Sequence, residues 1–292
     1  MTPYRPGFTG YALDRADHLR SDADAIASLA TNWRARLLHL NGYEPVITAE
    51  GRLAWGSIAD VAEDATLILL GMDGDQPHFV VLPEQADGAT LFRSPRIMQA
   101  LATLFPDDLA VYGTARSLID WHLRHLFCGR CGAATAYSRA GWGRHCTGCN
   151  TEHFPRVDPV VIMLAEHDGR ALVGRQASWP QGRYSALAGF LEPGETIEEA
   201  VARELFEEAG VRATQVRYVT SQPWPFPAQL MIACVASVAS DALTLAPAEI
   251  EDALWVSRGE AKAALAGDAD ARFLAPPTYA VAHSLLTHWA ED

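Results

Sequence analysis

The chain has 292 residues, enough for two domains, and 49% of them are hydrophobic, enough to bury a core in each. A formal net charge of −13 argues against a protein that grips nucleic acid along its phosphates, so substrate phosphates must be met by local arginines, backbone amides and metal ions. No apolar run is long enough to span a bilayer, and the opening MTPYRPGFTG lacks the apolar centre of a signal peptide, which makes a cytoplasmic protein the expectation. Almost every cation is arginine, with Lys262 the sole lysine, and no function follows from that.

Residues 1–125 read as one α/β unit. Helical spacing covers part of Asp22 to Leu38. The apolar runs Thr66 to Leu70 and His78 to Leu82 flank Gly71-Met72-Asp73-Gly74-Asp75, the pattern of a hairpin. Ser94 to Leu104 and Leu109 to Leu126 read as helices separated at Pro106. No catalytic cluster appears in this part.

Residues 126–153 hold two Cys-x-x-Cys pairs, Cys128/Cys131 and Cys146/Cys149, about fourteen residues apart. Each pair can clamp one side of a tetrahedral ion, and Gly129, Gly132 and Gly148 permit the turns, so the expectation is a zinc ribbon. Disulfides or a redox motif are the alternatives, and a redox motif would not come as a matched pair. Four thiolates leave no open position, which makes the zinc structural. His145 and His153 flank the ribbon without being needed as ligands, and Cys234, in an apolar run, reads as a buried strand residue.

From residue 154 to 292 strands and helices are mixed. Val160 to Ala165, Ala171 to Gly174, Arg217 to Thr220, Leu230 to Val238 and Leu254 to Val256 read as strands; Ala261 to Ala266 and Tyr279 to Trp289 read as helices. Between them runs GFLEPGETIEEAVARELFEEAGV, Gly189 to Val211. Pro193 and Gly194 form a turn, Thr196 and Glu199 a capping box, and Gly210 a helix stop. Ile197, Val201 and Leu205 make the apolar stripe. Glu204 and Glu208 fall on that same side, with Glu207 at its flank. Carboxylates on an inward edge repel one another and are costly to desolvate, and divalent cations with oxygen ligands would remove that cost. Downstream, Ser221 to Gln229 (SQPWPFPAQ) has three alternate prolines expected to hold it extended. Its Trp224 and Phe226 either frame a planar base or plug the core.

The stretch from Gly189 resembles the Nudix box, whose fixed positions are met by Gly189, Glu195, Arg203, Glu204, Leu205, Glu207, Glu208, Gly210 and Val211. SQPWPFPAQ resembles the signature of the NADH pyrophosphatase branch of the Nudix hydrolases, with Gln229 where the family usually has Ser. Phe8 to Asp22 is similar to the N-terminal domain of that branch. The resemblance covers nearly the whole chain, in family order. It implies a Nudix α/β/α sandwich with a mixed sheet (154–292), preceded by a zinc ribbon (126–153) and an N-terminal α/β domain (1–125).

Carried over by position, the Ala188 carbonyl, Glu204, Glu208 and Glu249, with Glu207, would hold two or three Mg²⁺ or Mn²⁺ ions. Arg203 would orient the glutamates, and Glu207 or Glu208 would act as general base. Phe190 and Phe154 would sandwich the nicotinamide; the family often has Tyr at the second place. Gln222, Pro223, Trp224, Pro225, Phe226, Pro227, Ala228, Gln229 and Ala282 would contact substrate, as would Arg96. Gly141 stands where some members have a substrate-binding Glu, so that contact would be missing. The implied activity is hydrolysis of the diphosphate of NADH and NAD⁺ to nicotinamide mononucleotide and AMP, at a site built across a homodimer. Removal of the NAD cap from RNA is the same chemistry. A nucleotide sensor without turnover and a general ADP-ribose or dinucleotide polyphosphate hydrolase are the rivals; the intact acids argue against the first and the Pro-aromatic signature against the second.

Overall fold

A computed structural model describes residues 5–62, 64–84 and 94–292; of the opening decapeptide, residues 1–4 lie outside the described residues. Two compact units emerge. One, the N-terminal unit, joins Phe8–Val157 with Trp224–Ala228, and the other, the C-terminal unit, joins Asp158–Pro223 and Gln229–Asp292 with the residues as far as Gly7. The zinc ribbon thus shares its unit with the α/β residues that precede it.

In the N-terminal unit, Asp22 caps helix α1 (Ala23–Ala30) by accepting from the Ala25 N–H. The helical part of Asp22–Leu38 ends there; the rest becomes strand β1 (Arg36–Leu38), where Leu37 and Leu38 are buried. With β2 (Trp55–Ser57), β3 (Leu67–Asp73) and β4 (Gln76–Val81) it forms a sheet of order β2-β1-β4-β3. The expected hairpin is β3–β4, turning through Gly74 at φ 57. Leu37, Leu69 and Phe79 pack against Ile26 and Leu29 of α1. Helices α2 (Pro95–Thr103) and α3 (Pro106–Arg124) each begin on a proline, whose missing N–H costs nothing in the first turn. Three short strands follow, β5 (Thr135–Ser138), β6 (Gly143–Cys146) and β7 (Glu152–His153), and they form the ribbon's sheet.

The C-terminal unit is a mixed sheet between helices, as the strand and helix pattern leads one to expect. Its elements are β8 (Asp158–His167), β9 (Arg170–Arg175), β10 (Leu187–Phe190), α4 (Ile197–Ala209), β11 (Ala213–Trp224), β12 (Gln229–Val238), β13 (Asp252–Ser257), α5 (Arg258–Ala266) and α6 (Val281–Glu291). The order is β11-β12-β8-β9-β13, with β10 also paired to β8. Strand β8 runs parallel to β12 and antiparallel to β9 and β10. Strand alternation then sorts the core. Val161, Met163 and Ala165 meet Ala200, Val201 and Leu205 of α4, while Ile162 and Leu164 meet Ala261 of α5 and Leu285 and Trp289 of α6. Cys234 is a fully buried strand residue.

One expectation is corrected. SQPWPFPAQ is extended only as far as Trp224; Pro225 to Ala228 form the turn between β11 and β12. Proline restricts φ to a value that suits a turn as well as an extended chain, so the prolines alone did not decide between them.

Candidate active site

The box begins at β10, which pairs with β8 so that Ala188 faces Ile162 and Gly189 faces Val161. Gly189 is needed for space: a Cβ there would lie 1.8 Å from the Glu204 carboxyl carbon. The loop turns at Gly194, φ +98, and α4 starts with the reciprocal Thr196–Glu199 capping box. It stops at Gly210, φ 73. Glu204 and Glu208 lie on the packed side of α4, 8% and 4% exposed, and Glu207 stands outside.

Arg203 holds the acids in place. Its Nε and one terminal nitrogen donate to both Glu195 oxygens, at 2.6 and 2.9 Å, a bidentate fork. The other terminal nitrogen donates to Glu204 Oε1 at 2.7 Å and Glu207 Oε2 at 2.9 Å, while the first also donates to the Phe190 carbonyl at 2.8 Å. The fork pulls Glu195 down to about 2. Glu195 therefore anchors Arg203, a role its place in the box did not reveal. Glu208 has no such partner: Oε2 is buried without a hydrogen bond. Burial first, then the charges of Glu204, Glu249 and Glu207, push its carboxyl up to about 8. Burial also raises Glu204, against the pull of Arg203.

Glu249 arrives from a distant stretch. The Glu208 and Ala209 carbonyls at the end of α4 accept from the Ala246 and Thr244 N–H groups at 3.0 and 2.9 Å. These bonds satisfy helix-end acceptors and pin the segment whose next turn carries Glu249. Ala188, Arg203, Glu204, Glu207, Glu208 and Glu249 thus line one cleft of about 640 Å³, within the C-terminal unit. An all-oxygen donor set, like charges crowded together and an orphaned buried carboxylate oxygen fit a hard divalent cation. Gln176, Ser178 and Glu192 line the same cleft and went unnoticed in the sequence. The available signal was that Gln176 follows the end of β9, a strand neighbouring the one that pairs with β10.

The other expected contacts are dispersed. Phe190, 53% exposed, ends β10 in the C-terminal unit; Phe154, 50% exposed, lies in the N-terminal unit with the Arg139 guanidinium 5.8 Å from its ring centre. Gln222 is wholly buried; its amide donates to the carbonyls of Gly7 and Tyr279 and accepts from Val281 N–H, beside the buried Ala282. Phe226 is 1% exposed, so it packs the N-terminal unit's interior, whereas Trp224 stays part-exposed. Pro223 is exposed, Pro225 buried, and Pro227, Ala228 and Gln229 are half-buried. Arg96 is exposed in the first turn of α2. Gly141 has φ +92, and a Cβ there would come 2.6 Å from the Ile68 side chain, so this backbone has no room for a glutamate.

The four cysteines of the ribbon converge, all four sulfurs lying within 4.8 Å of one another. Cys131 and Cys146 are 3.4 Å apart, Cys128 and Cys149 3.8 Å. Four sulfurs at about 2.3 Å from a tetrahedral zinc stand roughly 3.8 Å apart, so the cage fits the ion. Cys146 Sγ accepts from the N–H groups of Gly148 and Cys149, each at 3.3 Å. Cys149 is drawn down to about 6, chiefly by the Thr151 hydroxyl. Both effects favour thiolate, the form that binds metal. Neither His145 nor His153 joins the cluster.

The NUDIX domain model matches residues 155–275, and the NADH pyrophosphatase zinc ribbon domain model matches residues 123–154. NAD-capped RNA hydrolase NUDT12 of Macaca fascicularis is 44% identical over 335 residues, covering 97% of this chain and 72% of the relative. The Homo sapiens NUDT12 is 44% identical over 202 residues, 66% of this chain and 44% of its own length. NAD-capped RNA hydrolase NudC of Mycobacterium bovis (strain BCG / Pasteur 1173P2) is 36% identical over 312 residues, 98% of this chain and 95% of its own. With the box on α4 and the four-cysteine cage before it, the chain belongs to the Nudix hydrolase family, in the branch that carries the NADH pyrophosphatase zinc ribbon.

Proposed function

We propose that this protein hydrolyses the diphosphate of NADH and NAD⁺, releasing AMP together with the reduced or the oxidised nicotinamide mononucleotide respectively, and that the same chemistry removes NAD caps from RNA 5′ ends. The observation that carries the reading is the convergence of Glu204, Glu207, Glu208 and Glu249 on one cleft under the control of Arg203. The decapping reading is favoured by the relatives that bear that name at 44% and 36% identity. The acidic chain suits recognition of the cap rather than of a long RNA.

Glu204, Glu208, Glu249 and the Ala188 carbonyl would hold Mg²⁺ or Mn²⁺, two or three ions in all. When bound, these ions neutralise the diphosphate and lower the pKa of a water. A box glutamate, Glu207 or Glu208, takes the proton of the water that attacks phosphorus in line. Arg203 keeps Glu204 and Glu207 aimed and stays off the substrate, its donors already committed to Glu195, Glu204, Glu207 and the Phe190 carbonyl. Phe190 and Phe154, both exposed rings, stack on the nicotinamide, in a site that a homodimer completes. Trp224 and Gln229 frame the substrate from the turn region and Arg96 is the remaining contact, while Gln222 and Ala282, both buried, support the site from within the fold. The ribbon's zinc is structural. A reducing, cytoplasmic setting suits its thiolates, and among the described residues no helix is long and apolar enough to cross a membrane.

The test offers purified protein with Mg²⁺ or Mn²⁺ to NADH, NAD⁺, ADP-ribose, a diadenosine polyphosphate and NAD-capped RNA side by side. Reduced nicotinamide mononucleotide released from NADH, or nicotinamide mononucleotide from NAD⁺ or capped RNA, at kcat/KM well above that for ADP-ribose or diadenosine polyphosphate cleavage, is the expected result. Binding of all five without turnover would make the protein a sensor.

A further inference from the structure

The turn Pro225-Phe226-Pro227 has few ways to be held. Both prolines lack an N–H, and the Phe226 N–H is spent within the turn, on the Trp224 carbonyl at 2.9 Å. Backbone hydrogen bonds that hold it from outside must therefore run through its carbonyls, and one face of α3 takes two of them. Arg116 Nε donates to the Pro225 carbonyl at 2.9 Å, and the Ser117 hydroxyl donates to the Pro227 carbonyl at 2.9 Å. Gly113, one turn earlier, opens the space: a Cβ there would come 2.9 Å from the Phe8 ring and 3.4 Å from the Pro225 ring.

Arg116 is itself fully buried, its guanidinium between two rings, 4.4 Å from the centre of Tyr43 and 4.7 Å from that of Phe226. Tyr43 is fixed in turn, its hydroxyl bonded to Asp120 at 3.2 Å and its carbonyl accepting from the Tyr112 hydroxyl at 2.8 Å. A leucine could fill the same volume without the cost of desolvating a charge. The guanidinium instead does what a leucine cannot: it fixes a carbonyl and clamps an aromatic ring. The Phe226 ring then lies 5.1 Å from Trp224, and Phe8 meets Trp224 edge-on at 5.7 Å. The chain of contact runs from Arg116 through Pro225 and Phe226 to the ring that stays part-exposed.

We propose that Arg116, with Ser117, is a positioning residue for substrate recognition: it fixes the 225–227 turn and so aims Trp224 at the bound dinucleotide. This rests on the reading that Trp224 frames the substrate. Arg116 acts through Trp224 and does not touch the reacting atoms, so its loss weakens binding and spares the chemical step.

The experiment is steady-state kinetics with NADH on the full chain, loaded with zinc and Mg²⁺, for Arg116→Met, Arg116→Lys, Ser117→Ala, Trp224→Ala and the Arg116→Met/Trp224→Ala pair. Arg116→Met and Trp224→Ala should each raise KM roughly tenfold with kcat within about twofold, as loss of an aromatic–base contact does. Arg116→Lys, which keeps charge and a donor, should recover part of the loss, and Ser117→Ala should raise KM about two- to threefold. The pair should be no worse than Trp224→Ala alone, since both changes remove one effect. Losses that multiply in the pair, or kcat falling with KM unchanged, would overturn the proposal and leave Arg116 as a packing residue. If Arg116→Met does not fold, Ser117→Ala and Arg116→Lys carry the same comparison, and normal KM in both overturns it. An unchanged KM in Trp224→Ala strikes instead at the reading beneath, that this segment meets substrate.

Discussion

The ribbon and the box cleft both gather anionic side chains at one point, and they treat that charge in opposite ways. In the ribbon, backbone N–H groups bond Cys146 and the Thr151 hydroxyl draws Cys149 down to about 6, so these two thiolates are favoured, while Cys131, against the pull of its backbone bond at Ala133, is pushed up to about 12 by the sulfurs of Cys146 and Cys149. The cage closes with four ligands and leaves no open position. In the cleft, Arg203 compensates Glu195, Glu204 and Glu207, but Glu208 is left buried, orphaned and pushed up to about 8. On the proposed reading, four closed thiolate ligands would keep their ion as part of the fold, and the carboxylate cleft would take ions reversibly and leave room for water and phosphate.

The ribbon is the place for the largest effect. Cys146→Ser should cut zinc from about one per chain to a small fraction and lower Tm by many degrees, because structural zinc binding is folding free energy. The wild type should keep that zinc through a dialysis that removes Mg²⁺ or Mn²⁺. A zinc-free protein of undiminished Tm would erase the contrast between the two sites.

In the cleft, Glu208→Gln keeps shape and removes the charge. We expect kcat to fall at least about a hundredfold with the fold intact; near-normal turnover would take Glu208 out of the mechanism. The same residue makes a pH test. Its carboxyl in the folded, metal-free protein is raised from the ordinary 4.5 to about 8, so the fold favours the protonated form. That contribution is whole below about pH 4.5 and is lost as pH rises through about 8. Metal-free protein should therefore show Tm declining across that window, flatter in Glu208→Gln and flatter in Mg²⁺. A Tm that rises from pH 5 to 8 without metal, in wild type more than in the variant, would reverse the assignment.

Smaller effects test the reading of the exposed rings. Phe190→Ala should lower kcat/KM for NADH roughly ten- to a hundredfold, the value of one base–aromatic stack, and change ADP-ribose hydrolysis far less. Equal losses on both substrates would mean that the ring serves the cleft's structure. Phe154→Tyr should cost or gain no more than about 1 kcal/mol, since the ring face is unchanged and only a hydroxyl is added.

What the sequence by itself determined is local. Thr196 and Glu199 meet across a single helical turn, Cys128/Cys131 and Cys146/Cys149 across single knuckles, and Gly74 closes a hairpin between neighbouring strands. Each geometry is set by a few bonds along the chain, so spacing alone specifies it. The inward placement of Glu204 and Glu208 was legible for the same reason, because helical periodicity fixes which side they share with Val201 and Leu205. Tertiary structure decided what depends on elements distant in sequence. It brought Glu249 to α4 through the Thr244 and Ala246 bonds, and it seated Glu204 against the bare Cα of Gly189. It also chose between the two fates of the Pro-aromatic segment, burying Phe226 beneath Arg116 while leaving Trp224 part-exposed. The prolines restrict φ but say nothing of which carbonyls a helix more than a hundred positions earlier will take, and that depends on packing, which no local pattern encodes.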